Sequence, residues 1–393
     1  MTALFISCCR KGKMTVKDKI RKEADYILSC QYIANPNNPA YGAINNTQGK
    51  PTWISPRENA LAILGLLIAS EKLNNAIYKE RAELAADYLI RVQDLDGAWY
   101  NQYSYTTPGD PANLKNVKAL WKSPTHAQIL YAFHKLGYKG KRYAAMKKGA
   151  EYLINCQKVN NKGGNDDGLL CGGKDSKGGY LTQRWTHDNC YGYWALEAAA
   201  DWADINGEKK FRLLCKLSAR KILEGMEEYL YNPKDGIWEI AVDEWGSPLK
   251  NPHLPCVKRE RIYPSWIQYS PVMLNLPLKR KNLAAIGKWI HQTFQDESGA
   301  CCEWYCEEGE LKLRKYPGLS FQASLAWFVD GSAYYNDALK WAEESGLWHE
   351  EGGWIDWREE LPDNGRIAEN WMRFIDTSFY FIACITKYEF RIE

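Results

Sequence analysis

The chain lacks any apolar run long enough to cross a bilayer, so none of its 393 residues argues for a membrane-spanning helix. It also lacks a surplus of one charge. Its 51 Lys and Arg stand against 48 Asp and Glu, interspersed, which leaves no basic stripe for nucleic acid and no acidic tail. Residues 172–179 are rich in glycine but lack phosphate-loop spacing, and they read as a flexible loop or lid. The acidic turns Asp94-Leu95-Asp96-Gly97 and Asn165-Asp166-Asp167-Gly168 lack the full spacing of a calcium loop and read first as turn chemistry. The twelve cysteines include no CxxC pair, and Cys301, Cys302 and Cys306 with His291 match no zinc pattern. Cys190, Cys215 and Cys384 fall in apolar helical stretches and read as free, buried thiols. No metal and no cofactor is called for.

Aromatic residues are plentiful, with 17 Trp and 25 Tyr. Many Trp lie in turn-rich segments: Trp53, Trp99, Trp121, Trp185, Trp238, Trp245, Trp304, Trp354 and Trp357. Amphipathic rings in loops suit flat, hydroxyl-rich ligands such as sugars, or else plug the ends of helix pairs.

Residues 85–99 set the pattern for the rest. Leu84, Tyr88, Leu89 and Val92 share one helical face, and the helix is expected to stop near Asp96-Gly97. Tyr-x4-Gln followed by a Gly turn occurs at Tyr26/Gln31, Tyr88/Gln93 and Tyr152/Gln157, with turns at Gly42, Gly97 and Gly168. Looser copies carry Gly236, Gly299 and Gly352, which makes six. Each copy leads into a second, more apolar helix. The starts are Ser55-Pro56-Arg57-Glu58-Asn59, Ser123-Pro124, Thr186-His187-Asp188-Asn189, Pro264-Ser265, Pro317 and a stretch through Asp376. Ser before Pro is a strong helix-opening signal. Six amphipathic helices alternating with six apolar ones predict an all-α fold, an (α/α)6 toroid. Short β-hairpins are expected on one rim, in residues 237–263 and 300–316. Residues 14–393 read as a single domain. Residues 1–13 resemble the end of a bacterial lipoprotein signal, with Cys8 as the lipid anchor. That reading places the protein in the cell envelope or periplasm or on the surface; without it the expectation is cytoplasmic.

In such a toroid the long, aromatic connections all lead into the N-termini of the inner helices, and their polar residues converge on one mouth. Asp188, Asp376 and Glu58 are the candidate catalytic carboxylates. Candidate substrate-binding residues are Arg57, Trp53, Trp99, His126, Trp185, His187, Tyr193, Trp266, Gln268, Gln322 and Arg373. Helix capping is the plainer explanation for any one of them. A pair of carboxylates about 6.5–9.5 Å apart suits inverting glycosidic cleavage, and about 5–5.5 Å suits retention. Alternatively His187, with Tyr191 or Tyr193, removes a proton next to a uronic-acid carboxylate held by Arg184 or Arg57.

The helix–turn units and the Ser55–Asn59 start resemble the six-hairpin glycosidase superfamily, across about residues 15–390. The resemblance implies a toroid and a carbohydrate-active enzyme, either a hydrolase or a related lyase or epimerase. His187-Asp188-Asn189 followed by Tyr193-Trp194-Ala195-Leu196 is similar to an Asp-Asp…Trp-Trp-x-Leu element of bacterial endo-mannanases, with Asn189 replacing the second Asp. Residues 85–99 also resemble the Gln-Trp repeat of triterpene cyclases, but the Asp-x-Asp-Asp motif of those enzymes is absent. The expected function is a glycoside hydrolase acting on an oligo- or polysaccharide. A uronic-acid lyase or epimerase is the alternative, and a glycan-binding protein without turnover a third. A monomer is expected.

Overall fold

The computed structural model of the chain describes residues 14–46, 53–104, 122–159, 167–249, 262–306, 311–315, 317–355 and 375–392. The stretch around Cys8, Trp121, Trp357 and Arg373 lies outside the described residues.

Among the described residues there are twelve α-helices, alternating between two layers. The outer layer is α1 (Val16–Ser29), α3 (Ala76–Arg91), α5 (Gly140–Gln157), α7 (Lys209–Gly225), α9 (Arg280–Phe294) and α11 (Tyr335–Glu344). The inner layer is α2 (Pro56–Leu73), α4 (Gln128–Leu136), α6 (Thr186–Ile205), α8 (Ser265–Met273), α10 (Pro317–Asp330) and α12 (Ile375–Thr386). Each inner helix packs on the next, α2 on α4, α4 on α6, and so on until α12 returns to α2. The ring is closed, as the (α/α)6 pattern requires.

Sequence explains the layering. The α2 helix buries eleven of its eighteen residues, including Leu61, Ile63, Leu64, Leu66 and Ile68, so it can only sit inside. Ser55 caps it as expected, its hydroxyl accepting the Glu58 N–H at 3.3 Å with Pro56 in the first position. The α4 start differs from the expected α-helix. Residues Pro124–Ala127 form a 3-10 turn before the helix proper.

The Tyr-x4-Gln repeat has a mechanical meaning. The Gln31 amide donates to Gly42 O (2.8 Å) and to Arg81 O (2.9 Å) of the next outer helix. Gln93 does the same with Gly97 O and Ala145 O, at 2.8 and 2.9 Å. Gln157 binds Gly168 O and Ser218 O, at 2.6 and 2.9 Å. Each glutamine therefore ties its own turn to the neighbouring repeat. This also explains why α3 ends at Arg91, earlier than expected: Gln93 must leave the helix to reach Gly97, and Asp94 closes the turn by accepting the Gly97 N–H at 2.9 Å. The last repeat replaces the glutamine with Trp348, whose indole N–H donates to the buried Glu23 of α1. Glu23 also accepts the Gly353 N–H at 3.1 Å, and the sixth repeat is thereby joined to the first.

The turn glycines are required by close approach. At Gly97 φ is +87°, and an added Cβ would lie 2.1 Å from Lys148 O of α5. At Gly137 φ is +100°, but nothing lies within 4 Å. Gly97→Ala is expected to cost at least about 2 kcal/mol more than Gly137→Ala, which carries the dihedral penalty alone. Urea unfolding of the two variants reads the difference, and equal losses would remove the packing argument.

Nine short strands decorate the mouth rim. They are β1 (Trp53–Ile54), β2 (Tyr103–Ser104), β3 (Arg184–Trp185), β4 (Tyr231–Asn232), β5 (Ile237–Trp238), β6 (Ala241–Val242), β7 (Ile262–Pro264), β8 (Cys302–Cys306) and β9 (Leu311–Lys315), counted among the described residues. The β8–β9 hairpin lies in residues 300–316, where one was expected, and β7 extends it to three strands. The opposite end of the barrel is filled by the C-terminal tail. Tyr131 of α4 packs against Phe390 with ring centres 5.5 Å apart and planes tilted by 33°, and its hydroxyl lies 3.0 Å from that of Tyr388 and accepts the Arg391 N–H at 3.2 Å.

Candidate active site

The first residues of the inner helices occupy equivalent places around the axis. The fourth residue serves the framework. Asn59 bonds both the N–H and C=O of Ile44 at 2.8 Å. Asn189 accepts the Leu170 N–H at 2.8 Å, Gln268 brackets Trp238 at 3.0 and 2.6 Å, and Ser320 accepts the Cys301 N–H at 3.1 Å. Every partner stands two residues after a turn glycine. The partner of His126, Trp99, stands two after Gly97, and its carbonyl lies 2.9 Å from Nδ1.

The second and third residues are different. Position two supplies Arg57 in α2, His187 in α6, Trp266 in α8 and Asp376 in α12; position three supplies Glu58 and Asp188. The structure brings three of these together. One guanidinium nitrogen of Arg57 lies 3.5 Å from Asp376 Oδ2 and 4.0 Å from Glu58 Oε1. The side chains keep 35%, 24% and 15% exposure for Arg57, Asp376 and Glu58. That residual exposure belongs to the mouth, since the helices themselves are enclosed.

Burial pushes the Glu58 carboxyl up, the negative charge of Asp376 pushes it further, and Arg57 opposes both; the result is about 8. Glu58 therefore holds its proton at neutral pH. Burial pulls Arg57 down, but the charges of Glu58 and Asp376 outweigh it and the net shift is upward. Below the cluster, the hydroxyls of Tyr191 (α6) and Tyr380 (α12) face each other at 3.5 Å, both fully enclosed and both pushed up by burial.

His187 flanks this group. Its ring meets Tyr191 edge-on at 4.9 Å and Trp266 at 5.2 Å. The Ser270 hydroxyl donates to Trp266 O at 2.7 Å, so it can only accept from His187 Nδ1, 3.2 Å away. Nδ1 therefore carries a proton. His126 Nδ1 carries one too, because a carbonyl only accepts. Burial and then the Arg57 charge pull its pKa down to about 4 against the Trp99 hydrogen bond, so it is neutral.

No protein-family model and no curated protein matches the sequence. Among solved structures, a D-mannose isomerase superposes with a TM-score of 0.69, over 95% of this chain and 96% of its own, at 15% identity. The cellobiose 2-epimerase from Bacillus thermoamylovorans B4167 gives 0.67, over 94% of this chain and 99% of its own, at 11% identity. An unsaturated glucuronyl hydrolase specific for heparin gives 0.64, over 95% and 96%, at 12% identity. The fold shared with these structures is the (α/α)6 toroid.

Within the toroid the remaining sequence candidates divide. Asp188, in the first turn of α6, is 5% exposed and accepts the Ser123 hydroxyl at 3.4 Å. Trp99 is 2% exposed with its indole N–H on Leu89 O, and with His126 it lines a cavity of about 10 Å³, room for one water and not for a sugar. Gln268 is fully buried in its bonds to Trp238. Tyr193 lies two turns down α6, where its charge neighbour is Glu197. Trp185 and Trp266 are half-buried at the rim, and Gln322 is half-buried in the second turn of α10. The backbone of Trp53 pairs with Ser104; its side chain lies outside the described residues. Arg184 is not available to a substrate carboxylate. It is fully buried, 2.8 Å from Asp167, and bonded to Val159 O. The acidic turn at Asp94 and Asp96 is occupied by ammonium groups, Lys122 at 2.5 and 3.0 Å and Lys174 at 2.9 Å.

Two groups were missed as site residues. Tyr380 had no distinguishing motif, since its place opposite Tyr191 depends on ring closure. Trp245 was noted only as one of the loop tryptophans, yet it is 60% exposed on the loop that follows β6, the strand paired with β3 at the α6 entrance.

Proposed function

We propose that this toroid is a glycoside hydrolase cleaving an oligo- or polysaccharide at the mouth, with Glu58 as general acid and Asp376 as general base. One observation carries the assignment: Glu58 and Asp376 share Arg57, in surroundings where burial and the Asp376 charge push the Glu58 carboxyl up. Two carboxyl groups whose surroundings favour different protonation states are what glycosidic cleavage needs. Glu58 supplies its proton to the leaving oxygen. Asp376, oriented by Arg57, takes a proton from the attacking water. Neutral Tyr191 and Tyr380 form the floor, and Trp266, Trp185 and Trp245 offer faces for sugar rings. The superposed hydrolase, isomerase and epimerase all act on sugars by their names, which supports a carbohydrate substrate for this chain.

A second reading rests on His187. Its imidazole, edge-on to Tyr191 at 4.9 Å, is of the residue type that removes a proton from a sugar carbon, as a lyase or epimerase acting on uronic acids requires. Incubation with a glycan panel separates the two readings. Saturated fragments, lost in Glu58→Gln or Asp376→Asn, support the hydrolase, and loss in Asp188→Asn alone moves the acid to Asp188. Unsaturated fragments, or solvent deuterium in an uncleaved sugar, move the assignment to His187. Binding without any product makes the toroid a glycan-recognition protein.

Trp245→Ala is expected to raise KM about tenfold with kcat nearly unchanged, as loss of one stacking platform outside the chemistry implies. Initial rates over a range of oligosaccharide concentrations read the split. A change in kcat alone would place Trp245 outside the binding path.

A further inference from the structure

The outer helix α7 presents an apolar stripe to solvent. Leu213 is 59% exposed, Leu217 50% and Leu214 41%, with Ile205, just before the helix, at 62%. Leu213 and Leu217 are one turn apart and lie at the centre of the outward face. The inward face is complete without them, because Cys215, Ser218, Ala219 and Ile222 already bury the helix against its neighbours. Basic residues flank the stripe on both sides: Lys209, Lys216 and Arg220 on one, Lys210 and Lys221 on the other, with Arg212 further round. Glu224 is the one acidic side chain of the helix and is paired with Arg220 at 2.7 Å. Lys216 meets Glu197 and Arg212 meets Asp204, at 2.5 and 3.3 Å. Lys209 and Lys210 are exposed.

We propose that α7 is a peripheral docking face for an anionic lipid surface. Leucines sink a short way below the headgroups while lysines beside them meet the phosphates, which is the arrangement of interfacial amphipathic helices. A second copy of the chain fits this face poorly, because a two-fold contact would bring the exposed Lys209 and Lys210 of both copies onto one interface.

The test is co-sedimentation of the full chain with vesicles of phosphatidylcholine alone or phosphatidylcholine with 30% phosphatidylglycerol (roughly physiological salt, about 0.15 M). The expected result is uptake by the anionic vesicles only, weakening as salt rises. Lys209→Gln/Lys210→Gln is expected to reduce it about 25-fold, at about fivefold per charge. Leu213→Ser/Leu217→Ser is expected to reduce it at least tenfold, with unchanged melting temperature confirming the fold. Failure of the native chain to bind, equal uptake by both vesicle types, or variants that bind like the native chain would overturn the proposal. A dimer that dissociates in the leucine variant would assign the face to a second copy instead.

Discussion

Glu58→Gln is expected to lower the hydrolysis rate about 1,000-fold while leaving the melting temperature within a few degrees of the native value. Glutamine keeps the shape of the protonated carboxyl and its contact with the cluster, but it cannot give up a proton. The same argument fixes the pH dependence. Because Glu58 is active when protonated, kcat/KM of the native enzyme should fall above about pH 8 as one proton is lost. Stability should move in the same direction. The folded state keeps a proton that the unfolded chain releases near the ordinary glutamate value of about 4.3, so stability is lost as pH rises from there through about 8. Glu58→Gln should flatten that dependence. Denaturant melts at a series of pH values read it, and an unchanged slope in the variant would assign it to another group.

Arg57→Met removes the cation that Glu58 and Asp376 share and is expected to reduce kcat/KM at least 100-fold. Its second signature is more specific. Arg57 restrains the Glu58 shift, so the alkaline limit of whatever activity remains should move upward, above 8. Arg57→Lys keeps the charge without the planar fork, and it is expected to restore the limit more fully than the rate. Loss of rate with an unmoved limit would make Arg57 a structural residue only. Paired pH–rate profiles of the three proteins decide it.

The fold was legible because it is repeated. Gln31, Gln93 and Gln157 with their glycines mark where the first three outer helices end, and their bonds to the next repeat explain the recurrence. Ser55-Pro56 marked the start of an inner helix by local chemistry alone. Site residues were harder to separate from framework residues, since both sit at the same helix ends. Gln268 and His126 looked like ligands until their partners proved to be the residues two after a turn glycine. That periodicity was visible, but the pairing between a turn and the next inner helix was not. Asp188 stood out in an aromatic-rich stretch, yet Glu58 and Asp376, far apart in the chain, meet at Arg57 only because α12 packs back on α2. Neither burial nor ring closure can be read from one residue's neighbours in sequence.

The most direct measurement is a carbon-13 NMR titration of the glutamate side-chain carboxyls in the native protein and in Glu58→Gln. It requires no knowledge of the substrate. One resonance titrating near pH 8 and missing from the variant is the predicted result. If every glutamate titrates in the ordinary range, roughly pH 3.5–5, Glu58 is ionised at neutral pH and cannot be the acid.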